Sequence, residues 1–219
     1  MKSKFNNIAI VGNSKKFIKI IKEIFPRSKI IIYSWRSLNQ KKLYYNFVTK
    51  FDLILVSGYD YNSFSYSYLN YYNVNITFPF NFIKSLLKSN TLVIYIDTIK
   101  KLRSNKNIFT LSRYEFAKKE LCFKLYNTIN ILRVLNLPVI KNNKNKAFIF
   151  GGRLTKFIFN IAINLKLVKS ISIGNLKKKL IHTIRMKSLR GPYFFSLKPL
   201  FLLIPRNHFI DRVLRLVNG

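Results

Sequence analysis

Tyr114 and Lys118 stand four residues apart in the stretch SRYEFAKKE, 112–120. On a helix that spacing puts both side chains on one face. The pair could move a proton, or it could be two ordinary surface residues in a chain rich in both types. The neighbouring elements have to decide. Other chemistry finds little footing. Cys122 is the single cysteine, so no intrachain disulfide forms, and its place after an apolar residue on a helical stretch suits a buried thiol. With two histidines, His182 and His208, and seven acids, no metal-ligand spacing and no Ser-His-Asp arrangement emerges.

A second chemical signal is the turn after the first apolar run. In NIAIVGNSKKF (7–17), Gly12 ends a strand and a helix begins just beyond, with Ser14 placed as its cap. A strand, a glycine turn and a helix N-terminus form the usual phosphate-binding unit of a doubly wound sheet. Lys15 stands where it could meet a phosphate, whereas Ile18 only packs. One glycine of the usual three is present, so a plain strand-to-helix turn reads equally well. At the end of the second apolar run, YSWRS (33–37), there is no acid to accept from ribose hydroxyls. Arg36 stands there instead, and its planar fork suits a 2′-phosphate. If a dinucleotide binds, NADP is favoured over NAD.

The elements that must position these residues alternate in type. Apolar runs at 7–14, 29–35, 51–60, 91–98 and 129–137 read as buried strands. Helical periodicity at 15–25, 37–50, 76–90 and 112–128 separates them, the last an amphipathic helix. The Tyr-rich stretch 59–73 reads as a loop and a short helix. Near-continuous apolar strands separated by helices imply a parallel sheet covered on both faces, hence an α/β, doubly wound domain over residues 1–146. KNNKNK (141–146) reads as a charged linker. Residues 147–219 read as a small, basic, mostly helical C-terminal lobe, with helical stretches at 151–168 and 174–190.

Forty Lys and Arg against seven Asp and Glu give a net charge of +33. A polyanionic partner is the physical expectation: RNA, an anionic surface or a phosphorylated ligand. Mutational bias in an AT-rich genome is the alternative source of so much Lys, Asn, Ile, Tyr and Phe. The N-terminus shows no secretory signal pattern. No run of 18 apolar residues suggests a membrane span, and 194–205 is interrupted by Lys198 and Pro199. The expected compartment is the cytoplasm of an AT-rich bacterium or an organellar matrix.

Taken in order, several segments resemble the short-chain dehydrogenase/reductase superfamily, in its extended NAD-dependent epimerase/dehydratase branch. They are IAIVGNS (8–14), FDLILVSG (51–58), NITFPFN (75–81) with Asn75 and Asn81, VIYIDT (93–98), YEFAK (114–118) and ILR (131–133) with Pro138 beyond. The resemblance implies a Rossmann-like fold and NAD or NADP as cofactor. It implies Tyr114 as general acid/base and Lys118 as the charge that favours the tyrosinate and holds the nicotinamide ribose. Thr98 would hydrogen-bond the substrate oxygen. Gly12 and Ser14 would line the pyrophosphate, and Ser57 and Gly58 would pass the adenine-side ribose. The chain departs from the pattern at the second and third loop glycines, at Phe78 where a glycine is expected, and in overall length.

Two functions follow from different classes. One is an oxidoreductase or epimerase acting on a sugar-like or phosphorylated hydroxylated substrate by hydride transfer. The other is a catalytically decayed, basic scaffold bound to RNA or a ribosome, through clusters at 100–106, 141–146, 177–190 and 206–215. A membrane-complex subunit docking through 194–204 ranks below both.

Overall fold

The computed structural model describes residues 5–12, 15–38, 50–97, 113–136, 139–141, 147–148 and 170–185. Ser14, Thr98, the rest of the expected helix at 37–50, and the stretches 100–107, 142–146, 151–168 and 186–219 lie outside the described residues.

Five strands form one sheet: β1 (Asn7–Val11), β2 (Lys29–Tyr33), β3 (Leu53–Val56), β4 (Leu92–Asp97) and β5 (Leu132–Asn136). Their order is β2-β1-β3-β4-β5 and every pairing is parallel. Residues of β3 and β4 are buried throughout, as a parallel sheet covered on both faces requires. The helices are α1 (Lys15–Ile24), α2 (Tyr68–Tyr72), α3 (Phe78–Ser85), α4 (Arg113–Tyr126) and α5 (Ile173–Arg185). A π-helical turn, Asn73–Thr77, joins α2 to α3.

Side-chain alternation along the strands divides the core into two layers. Ile8, Ile10, Leu53, Leu55, Ile94 and Ile96 face Phe17, Ile20 and Ile21 of α1 and Leu176 and Leu180 of α5. Ala9, Val11, Ile54, Val56, Val93 and Tyr95 face Phe82 and Ile83 of α3 and Leu121, Cys122 and Leu125 of α4. This is the expected α/β, doubly wound, Rossmann-like arrangement. Cys122 is a buried thiol, as its setting suggested. Each fully buried large apolar side chain contributes about 1.5–3 kcal/mol, so the two layers hold the sheet rigid beneath its loops.

Helix α1 is amphipathic, with Phe17, Ile18, Ile20 and Ile21 inward and Lys15, Lys19 and Lys22 exposed. Helix α4 is not the amphipathic helix its periodicity suggests. Arg113, Glu115, Lys118 and Glu120 are all at most 3% exposed, and no residue of the helix is fully solvent-facing. The α2–π–α3 run covers part of its outer side. Arg113 lies 4.8 Å over the Tyr71 ring, and the Tyr72 hydroxyl donates to Glu120 Oε1 at 3.1 Å.

A second, small sheet has the order β7-β6-β8, from β6 (Val139–Lys141), β7 (Ala147–Phe148) and β8 (Ser170–Ser172). Helix α5 follows β8 directly, and Ser172 Oγ accepts from the Asn175 amide at 3.2 Å near its start. Arg133 on β5 donates from Nη1 to the carbonyls of Thr183 and Ile184, tying the end of α5 to the main sheet.

Candidate functional site

Strand order fixes where a ligand can enter. The chain leaves β1 for β2 on one side, while β3 lies on the other side of β1. The carboxyl ends of β1 and β3 are therefore the topological switch point, where doubly wound sheets form the crevice that takes their ligands. Gly12, Ser57 and Gly58 are the residues at that point.

Gly12 has φ +139°, a backbone conformation suited to glycine. Its amide donates to the Tyr33 carbonyl at 2.9 Å, binding the turn to the end of β2. A Cβ here would lie 2.5 Å from Ser57 Oγ and 2.8 Å from the Gly58 nitrogen. At the end of β3 the amides of Ser57 and Gly58 both donate to the Val11 carbonyl, at 2.9 and 3.1 Å. The Ser57 hydroxyl is buried and has no hydrogen-bond partner among the described residues. A buried, unpartnered hydroxyl costs about 1–3 kcal/mol, so this one is poised to accept or donate to something brought into the crevice.

Trp35 and Arg36 lie on a single 3-10 turn just after β2. The indole packs against the next loop: a Cβ on Gly58 would be only 1.9 Å from Trp35 Cε3. Arg36, 65% exposed, reaches Asp60 Oδ1 through Nε at 3.4 Å. That pair uses Nε and leaves the two terminal nitrogens of the fork outside it. Asp60 is itself fixed. Its amide donates to Asn75 Oδ1 at 3.0 Å, and its Oδ1 accepts from the Asn62 amide at 3.1 Å. Asn75 completes the latch by donating to Ser63 Oγ at 2.7 Å and to the Tyr71 carbonyl at 3.1 Å. Asn75 is thus buried in the π turn, whereas Asn81 lies on the exposed side of α3.

The proton-transfer candidates sit on α4, beside the same loops. The Tyr114 ring meets the Tyr59 ring edge-on at 4.6 Å, and Tyr59 follows Gly58 directly. The Tyr59 hydroxyl is in turn hydrogen-bonded to that of Tyr71. Lys118 Nζ donates to the Ile96 carbonyl at 3.2 Å, near the end of β4, and lies 5.0 Å over the Tyr95 ring. Burial pulls the Lys118 ammonium down to about 8, against the opposing pull of the Asp97 carboxylate.

The structure therefore brings Gly12, Ser57 and Gly58 into contact, and joins Arg36 to them through Trp35 and Tyr114 through Tyr59. Lys15 stands exposed at the first position of α1. Lys118 is held near the end of β4. Sequence reasoning missed Trp35, Tyr59, Asp60 and the structural role of Asn75. Trp35 is the only tryptophan, and Asp60 is one of only seven acids, so rarity was the available signal. Among the described residues no group of His, Cys, Asp and Glu could hold a metal ion, and no helix is long and apolar enough to cross a membrane.

No family model matches the chain, and no curated protein matches its sequence. Among solved structures it is similar to a short-chain dehydrogenase/reductase superfamily protein from Agrobacterium tumefaciens with bound NAD. That similarity has 9% identity and a TM-score of 0.48, covering 64% of this chain and 51% of that one. This chain thus spans about half the length of that protein. It is also similar to dTDP-4-dehydrorhamnose reductase from Bacillus anthracis in complex with NADP, at 11% identity and a TM-score of 0.46, covering 97% and 98%. The Rossmann-like fold stands on this chain's own strand order and two-layer packing.

Proposed function

We propose that this protein binds a nicotinamide dinucleotide in the β1/β3 crevice and acts as a short-chain dehydrogenase- or epimerase-like enzyme on a sugar-like or phosphorylated hydroxylated substrate. The observation that carries the proposal is the contact of Gly12 with Ser57. A glycine at positive φ leaves no room for a Cβ against a buried hydroxyl that lacks a partner among the described residues, at the point where doubly wound sheets take their ligands. The residues present fit the group. Gly12 allows close backbone approach, Lys15 stands ready for the pyrophosphate, and Ser57 offers its hydroxyl to a ribose. Arg36 carries the fork that suits a 2′-phosphate, which favours NADP over NAD.

The bound dinucleotide supplies the hydride acceptor or donor. The chain's own part is proton handling. Tyr114 would give or take the proton at the substrate oxygen. Lys118, one turn on, remains mostly protonated at neutral pH with its lowered value of about 8, so its charge favours the tyrosinate. Burial of both residues strengthens that interaction by removing competing water.

Calorimetric titration with NADPH, NADH and ATP tests the proposal, at salt high enough to suppress binding of any polyanion to a chain of charge +33. The expected result is saturable NADPH binding in excess of ATP, with the NADPH-over-NADH preference lost in Arg36→Ala. Equal weak binding of all three compounds would refute it.

A further inference from the structure

The charge of the described surface is unevenly placed. Helices α1 and α5 cover the same face of the sheet and meet at their edges, where Lys177 Nζ lies 3.6 Å from Glu23 Oε2. Among the described side chains their solvent side carries six exposed cations, Lys15, Lys19, Lys22, Lys178, Lys179 and Arg185, against one exposed acid, Glu23. The opposite layer differs. Across α2, the π turn, α3 and α4, Lys84 is the one exposed cation among the described residues, and the other exposed positions are Leu69, Asn70 and Asn81. Compositional drift toward lysine would load the solvent positions of every helix. Exposed cations also stand elsewhere, as at Arg36, Lys50, Lys84 and Lys88, but six concentrated on two adjacent helices are what selection for a polyanionic partner leaves.

The same face narrows the choice of partner. The exposed large apolar side chains among the described residues are Ile32 and Leu69, and neither is on α1 or α5. A surface helix held by a membrane inserts apolar side chains, so a lipid surface is disfavoured. Among the described residues no exposed Phe, Tyr or Trp stands on either helix, so stacking of unpaired bases is disfavoured too. Lysines alone fit phosphate oxygens, which position a protein on a duplex without reading its sequence. Two helices side by side span roughly 18–22 Å, from an axial separation of about 8–10 Å and a helix diameter of about 10–12 Å. That is too broad for the ~12 Å major groove of B-form DNA, but it can lie across the wide, shallow minor groove of an A-form helix.

We infer that the exposed face of α1 and α5 docks the phosphate backbone of double-stranded RNA, as a second binding function on the layer away from Ser57, Gly58 and Tyr114. The test uses the full chain and a fluorescent RNA duplex of roughly 20 base pairs, longer than the ~16 that duplex-RNA domains cover. Anisotropy titrations over about 50–200 mM salt compare wild type, Lys22→Gln/Lys178→Gln, and the control Lys50→Gln/Lys84→Gln, which removes the same charge from the other side. The α1/α5 variant is expected to bind roughly tenfold more weakly, with its log–log salt slope shallower by about 2, one unit for each phosphate that is no longer neutralised. The control should stay within about twofold. Circular dichroism melts confirm that both variants fold, and NADPH titration of each separates this result from the dinucleotide proposal. Equal losses in the two variants, no duplex binding, tighter binding to duplex DNA, or equal binding to phosphatidylserine vesicles would each overturn the inference.

Discussion

Gly58 is the position where one added methyl group says most about the site. In the structure a Cβ at Gly58 would sit 1.9 Å from Trp35 Cε3, 2.6 Å from Cδ2 and 2.8 Å from Cζ3. Carbon atoms pack at about 3.5–4.0 Å, so the indole would have to retreat by more than ~1 Å. It has little room, since Trp35 is only 5% exposed and belongs to the core under α3. Overpacking of this kind costs about 1–3 kcal/mol, and outright expulsion of the indole approaches the roughly 3–5 kcal/mol of a buried Trp→Ala change. Gly58→Ala should therefore destabilise the fold by roughly 2–4 kcal/mol. At about 2–4 °C per kcal/mol for a chain of this size, the melting temperature falls by about 5–15 °C. Because Trp35 is the only tryptophan, its emission reports on this contact alone. The expected sign is a shift to longer wavelength as the indole meets water, with weaker NADPH binding. A double-mutant cycle isolates the contact: on a Trp35→Ala background, followed by circular dichroism, Gly58→Ala should cost under about 0.5 kcal/mol. Unchanged emission and an unchanged melt in Gly58→Ala, or the same cost with and without Trp35, would refute the packing of the β2 loop on the β3 loop.

Two further outcomes follow from buried polar groups. Asn75→Ala should destabilise by roughly 2–4 kcal/mol, because it removes the acceptor of the Asp60 amide and the side-chain donor to the Ser63 hydroxyl and the Tyr71 carbonyl, although the Ser63 hydroxyl keeps its bond to the Asp60 carbonyl; urea melts read the loss, and a change under about 0.5 kcal/mol would show that the latch contributes nothing. Lys118 predicts a pH dependence. Its folded value, about 8, lies below the ordinary 10.5, so between those values the unfolded chain binds more protons and stability rises with pH. Lys118→Met should therefore be relatively more stable than wild type near pH 7, with the advantage shrinking as pH climbs from 8 toward 10.5, by an amount of order 1–3 kcal/mol. A difference independent of pH over that window would refute the buried ammonium.

The sheet was legible because each parallel strand, covered on both faces, must be an uninterrupted apolar run such as LILV or LVIYID. Helix α1 was legible because its apolar stripe repeats at about 3.6 residues. Helix α4 misled for a related reason. Arg113, Glu115, Lys118 and Glu120 look like a solvent face in one dimension, and only the tyrosines of α2, some 40 residues earlier, show part of what covers them. Gly12 could be placed at a strand end from its own neighbours, but its contact with Ser57 depends on β3 lying beside β1, and strand order is a property of packing rather than of local pattern. The π turn carries no period of its own, so the inward placing of Asn75 was invisible.

The acids locate the site better than the cations do. In a chain of 40 basic residues, composition disfavours each of the seven acids, so those that persist answer to structure or chemistry. Six fall among the described residues, and five of them have a defined task or setting in the fold. Asp52 accepts from the amides of Asn6 and Asn7 at 2.8 and 2.9 Å and pairs with Lys88, fixing the entry to β1. Asp60 ties the β2 loop to the β3 loop through Arg36. Asp97 closes β4 and favours the charged form of Lys118. Glu115 is buried on the helix that carries Tyr114, and Glu120 accepts from Tyr72 across the α2–α4 contact. Burying a carboxylate costs several kcal/mol unless charges and donors surround it. Four buried acids, Asp60, Asp97, Glu115 and Glu120, are therefore an expensive arrangement, and all four lie on the loops, strand end and helix that frame the β1/β3 crevice or hold Tyr114 and Lys118. The one exposed acid among the described residues, Glu23, sits instead within the lysine face of α1 and α5, paired with Lys177. Retained carboxylates and concentrated lysines thus point to different surfaces, so the proposed dinucleotide site and the proposed duplex-binding face should respond to separate substitutions.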